Sequence, residues 1–239
     1  MTPQPELDEY EIKPQPAFNV PGIILLLAVA MVVCQLMTGW ISNDAYRAVL
    51  LNFAFIPLAY IENAPALPVP YARYWTPVTY AFLHGGWAHL IVNLVWMFAF
   101  GSAVARRFGL VRFLLFFALS ALASALMHVA FNWGSNVPVI GASGVVSACM
   151  GAAVRFGFAP NDAGRSFHGP ALTLVQSLNN RTAMTFIIVW FALNWLFGSG
   201  VVPLAGATDI AWEAHMGGFL FGLLAFWLFE PRRNSANLA

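Results

Sequence analysis

Gly141-Ala142-Ser143-Gly144-Val145-Val146-Ser147-Ala148-Cys149-Met150-Gly151-Ala152-Ala153-Val154-Arg155 reads as a membrane helix with a hydroxyl at its mouth and a cation at its foot. Polar side chains inside a bilayer are costly and mark functional positions. From Ser143 to Arg155 there are 12 steps, about 18 Å of helix at ~1.5 Å per residue. With Arg155 at the inner boundary of a hydrocarbon core roughly 30 Å thick, Ser143 lies about 10 Å below the outer surface. The stretch before it, Asn132-Trp133-Gly134-Ser135-Asn136-Val137-Pro138, is then expected to be irregular backbone dipping into the membrane, tolerated only where protein or water lines it. A wet cavity open to the outer face follows.

A second mouth stands about seventy residues on, at Ala214-His215-Met216-Gly217-Gly218. His215 reaches Arg232 after 17 steps, about 26 Å at ~1.5 Å per residue, which leaves it a few ångströms below the same surface. Hydroxyl and imidazole at similar depth meet a condition for hydrogen bonding, so Ser143 reads as a nucleophile and His215 as its general base. Gly218 and Gly222 follow the histidine at +3 and +7, and Gly144, Ala148, Gly151 and Ala152 form a comparable small-residue stripe after the serine. Small residues at such spacing let helix backbones approach in a membrane, and packing the two stripes would bring the mouths together.

The rest of the chain fits this reading. Of 239 residues 60% are hydrophobic and 9% charged, with a mean hydropathy of +0.71. Apolar stretches recur at Gly22–Gly39, Ala88–Ala105, Leu110–Val129, Ser143–Phe158, Ala183–Phe197 and Ala211–Phe229, most near the roughly 20 residues a spanning helix needs. The expectation is an all-α polytopic membrane protein, a bundle of six transmembrane helices over residues 22–230. Residues 1–21, acidic and rich in proline, form a short cytoplasmic tail, and residues 231–239 a second one. Lys13, Arg106, Arg107, Arg112, Arg155, Arg165, Arg181, Arg232 and Arg233 fall on one side, which the positive-inside rule makes cytoplasmic. Arg47 and Arg73 fall opposite, in the long segment Ile41 to Leu83. Its aromatics, among them Tyr46, Tyr60, Tyr71, Tyr74 and Trp75, with Trp40 just ahead of it, suit an outer loop partly embedded between the first two helices. The first helix is expected to stay as a signal anchor, without the basic n-region of a cleaved signal. Cys34 and Cys149 lie in apolar spans and receive no redox role. There is no Gly-rich phosphate loop and no Cys/His metal spacing, and a net charge of +1 offers no footprint for nucleic acid. No cofactor or metal is expected.

The second apolar stretch opens with Phe82-Leu83-His84-Gly85-Gly86-Trp87-Ala88-His89-Leu90-Ile91-Val92-Asn93, and His89 and Asn93, four apart, share a helix face. Three ordered motifs, His84-x4-His89-x3-Asn93, Gly141-x-Ser143-Gly144 and Ala214-His215-x2-Gly218-x3-Gly222, together resemble the rhomboid family of intramembrane serine proteases, over essentially all six helices. The resemblance implies a catalytic dyad of Ser143 and His215 without a carboxylate. It also implies an oxyanion hole made of the His89 and Asn93 side chains and the Ser143 backbone N–H, donors that a developing oxyanion in a low-dielectric site requires. His84, Gly141, Gly144, Gly218 and Gly222 are then structural supports. Glu213, two residues from His215 and on another face, and Asp209, in the preceding loop, are no third member. Two positions depart from the pattern. Relatives often carry Trp-Arg eight or nine residues before the histidine matching His84, where this chain has Trp75-Thr76 with Arg73 nearby. Some place an aromatic ring against the histidine four residues after the nucleophile, where this chain has Ser147, so that either His215 is held less firmly or another side chain supplies the stacking.

The resemblance implies hydrolysis of a peptide bond in a single-pass transmembrane protein near its outer end, with the lipid bilayer as the other partner. Its rival is a noncatalytic rhomboid-like protein that binds transmembrane clients. A transporter is a distant third, since the chain shows neither an inverted repeat nor intramembrane carboxylates. The expected location is a bacterial inner membrane, with both termini cytoplasmic and the site open to the periplasm. The fifth helix, with Phe186, Trp190, Phe191, Trp195 and Phe197, is a candidate gate by family analogy. His128, near the outer end of the third helix, and His168, in a cytoplasmic loop, read as interfacial or solvated.

Overall fold

The computed structural model describes residues 20–61, 69–159, 169–199 and 210–231. The acidic tail up to residue 19, the end of the chain from 232, and with them Lys13, Arg165, His168, Asp209, Arg232 and Arg233, lie outside the described residues. Long apolar runs must satisfy every backbone N–H and C=O internally in lipid, which leaves helices as the economical solution. The regular structure of the described residues is accordingly helical, with one isolated antiparallel bridge between Phe55 and Val139.

Eight helices carry the architecture: α1 (Gly22–Gly39), α2 (Asn43–Phe53), α3 (Trp87–Phe108), α4 (Leu110–Phe131), α5 (Ser143–Gly157), α6 (Leu174–Asn179), α7 (Arg181–Gly198) and α8 (Trp212–Phe229). Five of them, α1, α3, α4, α7 and α8, are long and apolar enough to cross a membrane. Their outer faces expose Leu26, Val92, Val111, Ile188 and Leu228, a distribution suited to lipid. The middle of α3 widens into a π-helical turn at Met97–Gly101, an irregularity no residue of the sequence announced. Residues 54–61 and 69–83 are folded: the Trp75 indole donates to Asn52 O at 2.8 Å, Thr79 Oγ1 to Phe53 O at 2.9 Å, and Tyr60 OH to Arg73 O at 2.9 Å.

The fourth apolar stretch became α5, only 15 residues long and buried from Gly144 to Phe156. It is the centre of the molecule. α8 lies along one side of it so closely that a Cβ on Gly218 would collide with the Gly144 carbonyl oxygen, one on Gly222 with that of Ala148, and one on Gly151 with that of Phe219. The two small-residue stripes therefore meet backbone to backbone. On its other face α8 packs against α4, where Gly217 abuts Met127 and the Ala123 carbonyl. α7 is peripheral. Only Ala183 of it is buried, and Phe186, Trp190 and Phe191 attach it to Phe219 of α8 with ring centroids 6.5, 4.3 and 5.3 Å apart.

The end of the bundle away from Ser143 is closed by charge and aromatics. Arg107 donates to both carboxylate oxygens of Glu230, at 2.7 and 2.6 Å, from beneath the ring of Phe156. Removing one partner of such a buried pair leaves a stranded charge, so it fixes the end of α3 against the end of α8. Arg155, in the last turn of α5, is turned inward and fully buried, donating to the Leu223 and Leu172 carbonyls at 2.7 and 3.1 Å. A cation there also complements the negative end of the α5 dipole.

Candidate active site

α5 begins at Ser143 because the backbone turns sharply just before it. Gly141 has φ of +116°, a conformation that side chains disfavour. A Cβ there would also lie 2.7 Å from His89 Nε2 and 2.8 Å from its Cε1. Glycine is therefore required twice over. The approach to this turn is tied to the outer loop: Phe55 and Val139 exchange backbone hydrogen bonds at 3.1 and 2.8 Å, Leu58 N–H donates to Ser135 O at 2.8 Å, and Gly141 N–H donates to Tyr80 O at 3.0 Å. Tyr80, buried, in turn donates its hydroxyl to Ala121 O of α4 at 3.0 Å. The irregular stretch before the serine is thus tied to protein at Ser135, Val139 and Gly141, while Trp133 and Val137 stay exposed.

Ser143 Oγ lies 2.7 Å from His215 Nε2, across 72 residues of sequence. As the first residue of α5, Ser143 has a backbone N–H with no acceptor inside the helix, at the positive end of the dipole. The other face of His215 holds what sequence reasoning missed: Nδ1 is 2.8 Å from Asn194 Oδ1 on α7, and Asn194 Nδ2 donates to the Trp212 carbonyl at 3.0 Å. The available signal was an amide in an otherwise apolar span, a kind of residue that membrane interiors keep for a purpose. Ser147, where some relatives place a ring, is buried on α5, and Asn194 holds the imidazole by a hydrogen bond from the opposite side.

His89 rests on Gly141, beside the serine. Gly85 N–H donates to its Nδ1 at 3.4 Å, so a neutral ring carries its proton on Nε2, the atom that faces the Gly141 turn. Asn93, one turn further along α3 and buried, gives one amide proton to the His89 carbonyl at 2.9 Å. An amide nitrogen has a second proton to offer. His84, in the loop ahead of α3, accepts from Ala142 N–H at 3.5 Å and meets His89 edge-on at a ring distance of 5.1 Å. Burial, reinforced by the neighbouring imidazole of His89, pushes its pKa down to about 4. The ring stays neutral and keeps the lone pair that the Ala142 amide needs.

One sequence expectation is corrected. His128, read as interfacial or solvated, is not solvated: it is buried, with Nδ1 3.5 Å from a Glu213 carboxylate oxygen and 3.3 Å from Asn132 Nδ2. The ring sits where α4 meets α8, beside Glu213 of the neighbouring helix. Among the described residues, no three His, Cys, Asp or Glu side chains come together as metal ligands would.

A model of the Rhomboid domain matches residues 71–232. The chain belongs to the rhomboid family. The family match spans His84, His89, Asn93, Ser143, Asn194 and His215 and begins after α1 and α2, so it covers less than the six helices over which the motifs were read. Among curated relatives, a rhomboid protease GlpG of Yersinia pseudotuberculosis serotype I (strain IP32953) is 29% identical over 215 residues, 90% of this chain and 63% of the relative. Its namesake in Yersinia pestis (strain Pestoides F) is 28% identical over the same shares. That of Yersinia enterocolitica serotype O:8 / biotype 1B is 32% identical over 172 residues, 70% of this chain and 51% of the relative. This rhomboid thus spans 63% or less of the length of these relatives.

Proposed function

We propose that this rhomboid is an intramembrane serine endopeptidase that cleaves single-pass transmembrane proteins near the outer face of a bacterial inner membrane. The observation that carries the reading is the 2.7 Å contact between Ser143 Oγ and His215 Nε2 inside an apolar bundle. In the reaction Ser143 Oγ attacks the scissile carbonyl while His215 Nε2 takes its proton. The oxyanion is held by the Ser143 backbone N–H, His89 Nε2–H and the Asn93 amide. His215 then protonates the leaving amine, and water, deprotonated by the same imidazole, releases the acyl-enzyme. No cofactor enters any step.

In this reading α5 serves as a sixth, short span whose mouth stops below the outer surface, and residues 54–61 and 69–83 rest in the outer leaflet. Both termini face the cytoplasm. A client-binding protein without catalysis has no use for a hydroxyl and an imidazole in hydrogen-bonding contact over a glycine turn, which favours the protease.

The direct test is reaction of the purified protein, in detergent, with a fluorophosphonate probe, followed by mass spectrometry of the adduct. Labelling on Ser143 in the wild type and its loss in His215→Ala are expected. Absence of labelling in folded wild type would overturn the protease reading in favour of client binding.

The oxyanion assignment makes its own prediction. Asn93→Ala should lower the maximal cleavage rate by about 10²–10³-fold while leaving substrate affinity nearly unchanged, because the donor acts only once the oxyanion forms. Steady-state kinetics on a reporter with a transmembrane segment measure this, and an unchanged maximal rate would remove Asn93 from the hole.

A further inference from the structure

We propose that Asn194 is a positioning residue that locks His215 in the tautomer able to accept the serine proton, with the Trp212 carbonyl setting the direction of the lock. The inference rests on the reading of His215 as general base. Its logic is a sequence of donors and acceptors. A backbone carbonyl only accepts, so the Asn194 group 3.0 Å from Trp212 O is the NH₂. The amide oxygen must then face His215 Nδ1, at 2.8 Å. That oxygen only accepts as well, so Nδ1 carries the ring proton. A neutral imidazole has one proton, and Nε2 is left with its lone pair toward Ser143 Oγ at 2.7 Å.

The opposite amide orientation would set two oxygens against each other at the Trp212 end. It would also place the ring proton on Nε2, facing a hydroxyl it could no longer deprotonate. Trp212 stands in the first turn of α8, three residues before His215, so the lock is anchored to the same turn as the ring it holds. A carboxylate in this place would orient the ring and also stabilise its cation; the neutral amide does only the first. The other titratable groups that face His215 are His89 of α3 and His128 of α4, the latter beside Glu213.

The test compares wild type, Asn194→Ala and Asn194→Asp, purified in detergent, by two readouts: the fluorophosphonate labelling rate against pH, and ¹⁵N NMR of the His215 ring nitrogens. Wild type is expected to show the proton on Nδ1. Asn194→Ala should lose about 10–100-fold in labelling rate, the usual range for a lost orienting partner, and show both tautomers. Asn194→Asp keeps an acceptor for Nδ1 but loses the donor to Trp212, so it should regain part of the rate. Because a carboxylate favours the imidazolium, its acid limb should move to higher pH, a shift that a packing role would not produce. A wild-type labelling rate in Asn194→Ala, or a ring proton on Nε2 in wild type, would overturn the proposal. Failure of wild type itself to label would count against the protease reading, and the NMR readout would still decide the role of Asn194.

Discussion

Ser143→Ala is expected to lower cleavage of a transmembrane reporter by about 10⁴-fold or more while the protein keeps its fold. Loss of a serine nucleophile removes the covalent route altogether, and the residual rate comes only from bound water and the oxyanion donors. The substitution takes away one oxygen whose hydrogen-bond partner is His215 Nε2, and alanine retains the helix start. Melting temperature in detergent should therefore move little. The measurement is initial rate in proteoliposomes alongside a thermal melt. Turnover within tenfold of wild type would exclude Ser143 as nucleophile, and a collapsed melt would mean that the hydroxyl is structural.

Gly218→Ala should be among the most damaging single methyl groups in the described part of the molecule. The added Cβ would occupy the position of the Gly144 carbonyl oxygen, and backbone cannot swing aside as a side chain can. α5 and α8 must separate or shift, at a cost of about 1–3 kcal/mol for overpacking of this kind. Gly144 adjoins Ser143, so the same shift misplaces the nucleophile relative to His215, and a displacement near 1 Å costs about 10²-fold in rate. Both a lower melting temperature and a lower rate are expected. Gly157→Ala, at the far end of α5 where nothing lies within 4 Å of the new Cβ, is the control and should be silent in both. Equal behaviour of the two variants would refute the backbone contact.

Much of this arrangement was legible in the sequence because membrane chains write it in few symbols. The apolar runs gave α1, α4 and α8 nearly to the residue, and the ordered Ser143 and His215 motifs named the two side chains that stand 2.7 Å apart. The glycine stripes predicted which helices touch. Pairings between distant polar residues were not legible, since nothing local distinguishes Arg107 as the partner of Glu230, 123 residues away, or His128 as the neighbour of Glu213. Asn194 was overlooked because it belongs to no motif and because the search for a third group looked for acids near His215 in sequence. The π turn at Met97–Gly101 leaves no mark on hydropathy.

The backbone contact between α5 and α8 has a consequence for how the molecule is made. The helix bearing Ser143 is synthesised some 55 residues before the one bearing His215, an interval of roughly 3–10 s at ribosomal speeds of ~5–20 residues per second. Throughout it the stripe of Gly144, Ala148 and Gly151 has no glycine face to rest on, and the serine has no base. On the proposed mechanism the pair of Ser143 and His215 comes into being in one step, when α8 docks against α5, and a chain in which α8 has yet to dock is chemically inert toward its neighbours in the membrane.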